Sequence, residues 1–118
     1  MKNIRNKEIG EKGENLAVEF LKSNGYKILE RNKHFSRLSE VDIIATDKNN
    51  TLVFVEVKTR TTENFGIPFE AISKMKYSHI KQGLFMYLSD NPTYKKYRID
   101  AISVVLTPKI CIEHLKNL

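Results

Sequence analysis

Two apolar runs separated by a turn constrain this chain more than any other feature: "VDIIAT" at 41–46 and "LVFVEVKT" at 52–59. Both are rich in β-branched residues, which suit a pleated, packed surface. The intervening "DKNN" supplies Asp and Asn, which tolerate turn backbone angles. A hairpin follows. Each strand nevertheless carries acid: Glu40 and Asp42 on the first, Glu56 on the second, with Lys58 two residues further on. Side chains at i and i+2 of a strand share a face, so Glu40 goes with Asp42 and Glu56 with Lys58. A loop centred on Asn49 with an odd number of residues sets Asp42 opposite Glu56 and Glu40 opposite Lys58. An even loop would put the acids on opposite faces. The first register is preferred, because it gathers every charge on one edge of an otherwise apolar pair.

Like charges directly opposite each other destabilise a hairpin. Charged side chains are rarely buried unless paired or bound to a metal. Asp42 and Glu56 therefore call for a compensating cation. Lys58 is one source and a divalent metal is another. Mg²⁺ takes oxygen ligands, keeps several waters, and typically uses one or two carboxylates plus a substrate phosphate. Asp42 and Glu56 fit that description. The bland alternative reads Glu56 and Lys58 as a salt bridge at a solvated strand end, an arrangement that is common and contributes little.

The rest of the chain frames the hairpin. "KEIGEKGENLAVEFLKSNGY" reads as a helix with Leu16, Ala17, Phe20 and Leu21 on one face. Gly25 is placed to end it. "YKILERNKHF" reads as a strand, and "TTENFGIP" as a loop in which Phe65, Gly66 and Pro68 shape a turn. "FEAISKMKYSHIKQGLFMYLSD" reads as a second helix, with Phe69, Ile72, Ile80, Leu84, Phe85 and Leu88 as its apolar stripe. "KYRIDAISVVLT" and the short "KICIEHL" are the last strands. The order α-β-β-β-α-β plus one short strand predicts an α/β fold, a mixed β-sheet flanked by helices. A length of 118 residues suggests a single domain over 1–118, large enough for a core without staples.

Several classes are set aside. No apolar run approaches the roughly 20 residues of a membrane helix. The polar, charged N-terminus is no secretory signal, so a cytoplasmic location is expected. Cys111 is the one cysteine, in the apolar run "ICI", and reads as a buried thiol in a reducing compartment. His34, His79 and His114 lack metal-ligand spacing with Cys111, which argues against zinc. Gly10 and Gly13 do not form a phosphate loop and read as the start of the first helix or as a close packing contact.

The net charge of +6 and pI near 9.4 favour a polyanion partner, nucleic acid first. Arg31, Lys33 and Arg37 cluster near the start of the second strand, and Arg60 follows Lys58. Lys74, Lys76 and Lys81 lie along the second helix. Such residues make sequence-independent, salt-sensitive phosphate contacts. Tyr94 and Tyr97, with Lys95, Lys96 and Arg98, could stack on bases or pack at a strand edge. Asp100 reads as a partner for a basic residue.

The ordered set "GEKGENLAVEFLKSNGYKILERN", "SEVDIIA", "FVEVKTR", "FG" and "RIDAISV" resembles the small bacterial family UPF0102 (YraN-like). Asp42, Glu56 and Lys58 resemble the signature of the PD-(D/E)XK nuclease superfamily, and the family is similar to Holliday-junction resolvases. The resemblance runs from Gly10 to Val105. One departure is Ser39, where the family usually has glycine before the hairpin acids. The resemblance implies a restriction-endonuclease-like fold and a Mg²⁺ site, with Mn²⁺ as a substitute. It implies Asp42, Glu56 and the carbonyl of Val57 as metal ligands, Glu14 completing the cluster from the first helix, and Lys58 orienting the attacking water or stabilising charge. Glu40 is an outer acid or a partner for Lys58.

The resulting expectation is a Mg²⁺-dependent, structure-specific DNA endonuclease acting on branched DNA, with Arg31, Lys33, Arg37, Arg60 and Lys74 on phosphates. Two-fold junctions make a homodimer plausible by symmetry. Two other expectations differ in chemistry. A nucleic-acid-binding module of the same fold without useful catalysis would bind in a salt-sensitive way and cleave nothing. A protein–protein adaptor would bind DNA weakly and ignore Mg²⁺.

Overall fold

The computed structural model describes residues 2–62 and 72–118, with side chains from residue 5 onward. Its elements run α1 (Lys2–Ser23), β1 (Lys27–His34), β2 (Glu40–Thr46), β3 (Leu52–Arg60), α2 (Lys74–Asp90), β4 (Tyr97–Val105) and β5 (Cys111–Leu115). The strands form one sheet in the order β1-β2-β3-β4-β5. All neighbours are antiparallel except β3 and β4, which are parallel. A parallel pair needs a long crossover, and the segment carrying α2 provides it.

β3 sits at the centre and shows why its sequence is almost continuously apolar. Val53 and Val55 pack toward α1 with Ala17, Val18, Leu21, Ile43, Ile102 and Val104. Leu52 and Phe54 pack toward α2 with Ile44, Ile80, Leu84 and Ile99. A strand covered on both faces needs apolar residues at every position. The two helices thus cover opposite faces of an open mixed sheet, as the element order predicts and consistent with the restriction-endonuclease-like fold that the resemblance implies. Among the described residues no helix is long and apolar enough to cross a membrane.

α1 begins several residues before the expected Lys7. Its first turns lack an apolar period, so the sequence pattern does not mark them. Gly10 and Gly13 consequently lie inside the helix rather than at its start. Gly13 is a packing contact: a Cβ there would stand 1.8 Å from Thr59 Oγ1, so α1 crosses β3 at a distance only glycine allows. Gly25 ends the helix at φ +87°, with its N–H on the Lys22 carbonyl (3.1 Å) and the Tyr26 N–H on Leu21 (3.0 Å). That is the double bond of a Schellman cap.

The hairpin takes the odd-loop register, with Ile43 opposite Val55 and Ile44 opposite Phe54. Asp47 Oδ1 shapes the turn by accepting from the N–H groups of Asn49 and Thr51, each at 2.9 Å. Two expectations about the core differ from the structure. Phe85 is 47% exposed, because α2 turns Ile80, Gly83 and Leu84 toward the sheet and Phe85 lies off that face. Cys111 is only half-buried, because β5 is an edge strand. Phe69 and the turn at Phe65, Gly66 and Pro68 lie outside the described residues.

Candidate metal and nucleic-acid site

The site lies where β2 and β3 part. Their paired register runs from Thr46–Leu52 up to Ile43–Val55. One step further, Asp42 offers its side chain instead of its backbone, and Asp42 Oδ2 accepts from the Val57 N–H at 2.7 Å. The carboxylate thereby fills the fork between the strands. Glu56 stands beside it, near enough to hydrogen-bond with Asp42.

The pair is electrostatically uncomfortable. Burial pushes the Asp42 carboxyl up, and the neighbouring Glu56 charge pushes it further, to about 7. The Val57 N–H and the charge of Lys76 oppose this without cancelling it. Lys76 comes from α2, where its Nζ lies 2.9 Å from Glu56 Oε2. Its pKa is raised, chiefly by the bond to Glu56, with the charges of Glu56, Asp42 and Glu40 adding to the effect. The sequence placed Lys76 among the phosphate-binding residues; in the fold it is the cation on the acid pair. Its distance of twenty positions from Glu56 hides the contact, which exists only because α2 folds back over β3.

Asp42 opens into a cleft of about 670 Å³ between α1 and the strand ends, which Glu14, Asn32, Val57, Lys58 and Thr59 also line. Lys58 is exposed on this cleft and, among the described residues, has no ion-pair partner. Glu14, from α1, is buried but already held. Its Oε1 accepts from Arg31 Nε (3.2 Å), Arg31 Nη2 (3.0 Å) and Asn32 Nδ2 (2.9 Å). Asn32 adopts φ +51° within β1, a left-handed backbone that asparagine tolerates better than most residues. In the β1–β2 register it falls across from Asp42, between the pairs Arg31–Ile43 and Lys33–Val41. Asn32 was not singled out in the sequence; the only trace of it is its place at the end of "ERN".

Glu40 does not meet Lys58. It pairs with His34 Nδ1 at 3.1 Å, and both are exposed. The hairpin register would allow a Glu40–Lys58 contact, but His34 directly opposite on β1 is nearer. Among the described residues, no three of His, Cys, Asp and Glu come together as a metal-binding group. The donor set is therefore two adjacent carboxylates, with Glu14 in the same cleft but bonded to Arg31. A hard cation that uses one or two carboxylates and fills its remaining positions with water or phosphate suits this set. A closed protein cage does not.

The basic residues disperse. Arg31 serves Glu14 and also donates to Asn15 Oδ1 at 2.6 Å. Lys33 lies 3.6 Å from Glu30. Arg60 ends β3, with its carbonyl accepting from the Leu106 N–H at 3.0 Å. Lys74 is the first residue of α2, exposed, near Ile72, Tyr77 and Leu118. Arg37 lines a separate open groove with Lys81 and Phe85. Ser39 is wholly buried, and its Oγ donates to the His79 carbonyl at 2.6 Å, fixing the loop before β2 onto α2.

Residues 13–104 match the family described as "Uncharacterised protein family UPF0102". A UPF0102 protein of Dictyoglomus thermophilum is 46% identical over 105 residues, covering 88% of this chain and 87% of the relative. The chain belongs to UPF0102. A second UPF0102 protein, from Alkaliphilus oremlandii, is 44% identical over 116 residues, 95% of this chain and 97% of the relative. One from Syntrophomonas wolfei is 40% identical over 114 residues, 95% of this chain and 97% of the relative. The UPF0102 match takes in Glu14, Asp42, Glu56, Lys58 and Lys76.

Proposed function

We propose that this UPF0102 chain is a Mg²⁺-dependent, structure-specific DNA endonuclease that hydrolyses phosphodiester bonds in branched DNA. The observation that carries the reading is the Asp42–Glu56 pair at the strand fork, where two partly buried carboxylates share too little positive charge. Structural acids are normally satisfied by their neighbours, and strongly perturbed carboxyls in a cleft mark functional sites more often than chance. The basic net charge is the second support.

Asp42 and Glu56 would hold the cation, with the Val57 carbonyl beside them and Glu14 reaching it through water or after release from Arg31. Mg²⁺, or Mn²⁺ in its place, would lower the pKa of a bound water and offset charge on the phosphate. Lys58 reaches the cleft from the same strand and, as a cation with no ion-pair partner among the described residues, would stabilise charge developing on the phosphate or orient the attacking water. The Val57 N–H holds Asp42 in one orientation, which prepays part of the ordering the reaction needs. Arg37, Lys33, Arg60 and Lys74 would contact phosphates away from the scissile bond, while Arg31 acts mainly on Glu14.

The test is cleavage of a panel of four-way, three-way, flapped and single-stranded DNA with Mg²⁺ or Mn²⁺. Wild type should nick at least one branched substrate, and Asp42→Asn and Glu56→Gln should nick none while still folding. No cleavage anywhere on the panel would sink the reading. The second reading, a binding module without catalysis, is favoured by one specific feature: Glu14 is already bonded, and among the described residues no third acid joins Asp42 and Glu56. It predicts salt-sensitive DNA binding in wild type and no cleavage with any divalent cation.

A further inference from the structure

Phe85 and Tyr97 are each 47% exposed, and their rings meet edge to face with centroids 5.9 Å apart. Single exposed aromatics are ordinary on a protein surface. Here two touch, and a cation adjoins them: Lys81 Nζ lies 5.9 Å from the Phe85 ring centre. Lys95 and Lys96, both exposed, immediately precede Tyr97. Beside Phe85 an open groove of about 890 Å³ is lined by Arg37, Leu38, His79, Lys81 and Gln82, among others, and, among the described residues, by no Asp or Glu. Leu38 is 62% exposed at its rim.

The groove is rigidly framed. Ser39 Oγ on the His79 carbonyl anchors the loop that carries Arg37 and Leu38. Gly83 lets that loop approach closely: a Cβ there would stand 2.6 Å from Phe35 Cδ2 and 2.8 Å from Ser39 Oγ. The loop that carries Arg37 and Leu38 is therefore fixed against the helix that carries Lys81 and Phe85, and no acid among the described residues lines the groove between them.

We propose that this surface binds the unpaired nucleotides of a nucleic-acid strand, with Phe85 and Tyr97 as stacking faces and Arg37 and Lys81 on phosphates. Unpaired bases have open π-faces that stack on aromatic side chains, and a cation strengthens the contact. In a duplex those faces are already stacked, so the rings gain nothing from it. The proposal deepens the endonuclease reading by naming the part of a branched substrate that this chain grips, and it needs neither the acids nor a metal.

The experiment is fluorescence anisotropy in EDTA, comparing an oligothymidine of about 12 nucleotides, within the 4–16 nucleotide range typical of such sites, with a blunt duplex. Phe85→Ala and Tyr97→Ala should each weaken oligothymidine binding about tenfold, from the loss of one stacked base, and leave duplex binding unchanged. Phe85→Trp should restore it. Arg37→Ala and Lys81→Ala should weaken both ligands and flatten the salt dependence. Both rings are exposed, so circular dichroism should show the variants folded. Three results would overturn the proposal: no change with Phe85→Ala, an equal loss for duplex, or wild-type self-association that Phe85→Ala abolishes. Because no metal is present, failure here would leave the cleavage reading to be judged by Asp42→Asn alone.

Discussion

Asp42 and Asp100 are both sheet aspartates withdrawn from solvent, and their surroundings drive them in opposite directions. Asp100 is wholly buried. Its Oδ1 accepts from Arg98 Nε at 3.0 Å and from the Asn117 N–H at 2.9 Å, and His114 Nε2 lies 2.7 Å from Oδ2. Arg98 also reaches Asp47 Oδ2 (2.9 Å) and the Tyr26 hydroxyl (2.7 Å). Burial works against the Asp100 charge, yet His114, Asn117 and Arg98 together hold its carboxyl below the usual carboxylate range. Among the described residues Asp42 has a single backbone donor and an acid for a neighbour, and it rises to about 7. An acid ringed by donors is a fastening for β4 and β5. An acid left beside another acid has a charge that the fold offsets only in part.

The sharpest way to break this contrast is Asp100→Ala. It would leave His114 and the Asn117 N–H without their acceptor and Arg98 with Asp47 alone, and losing one member of a buried pair costs about 3–5 kcal/mol. Urea denaturation should show that loss, while the folded fraction keeps its affinity for Mn²⁺. A loss no greater than that of a surface substitution would mean the network is not a fastening.

Asp42→Asn should act in the opposite sense. The amide oxygen still accepts from Val57, and the repulsion from Glu56 disappears. The metal-free protein should therefore gain about 2 kcal/mol at pH 8, a discounted conversion of the pKa shift. Calorimetry should at the same time show Mn²⁺ binding lost. A less stable Asp42→Asn, or one that binds Mn²⁺ like wild type, would place Asp42 in the same class as Asp100.

The sequence made one of these aspartates legible and left the other ambiguous, for physical reasons. Strand periodicity and turn chemistry are local, so the hairpin, its register and the meeting of Asp42 with Glu56 follow from residues 40–58 alone. Gly25 as a helix stop is equally local. The partners of these acids are not local. Lys76 reaches Glu56 from α2, Arg31 reaches Glu14 from β1, and His114 reaches Asp100 from β5. Each contact depends on how a whole element packs, which no spacing rule encodes. Glu14 illustrates the consequence. Its position on α1 brought it to the cleft as expected, but its bond to Arg31 could not be foreseen.

The two aspartates also predict opposite limbs in stability against pH. Asp42 is raised from 3.8 to about 7, so its contribution is present below pH 3.8 and is lost as pH rises through 7. Asp100 and Asp47 are lowered, so theirs is present above the unfolded value and is lost as pH falls toward the folded one. Metal-free protein should thus be most stable in mildly acid solution, declining between about pH 4 and 7 by up to about 1.4 kcal/mol per unit and levelling off above 7. Asp42→Asn should remove that decline and leave the acid limb. Mn²⁺ should restore stability at pH 8, and its affinity should rise with pH up to about 7, because the proton it displaces is the one on Asp42.

Lys76 gives the smallest effect and the finest test. Its side chain is 42% exposed and that of Glu56 13%, so solvent screens the pair and its value is modest. Lys76→Met should cost the metal-free protein about 0.5–1 kcal/mol. The same change removes the cation that competes for Glu56, so Mn²⁺ should bind about threefold more tightly, the equivalent of a pair worth about 0.6 kcal/mol. Lys76→Arg should stay close to wild type in both measurements. Were Lys76 instead the group that holds Glu56 in place for the metal, Lys76→Met would bind Mn²⁺ more weakly. The sign of that one change therefore separates a lysine that substitutes for the missing charge from one that arranges the ligand. Only the first is consistent with an acid pair whose defining property is an unmet demand for positive charge.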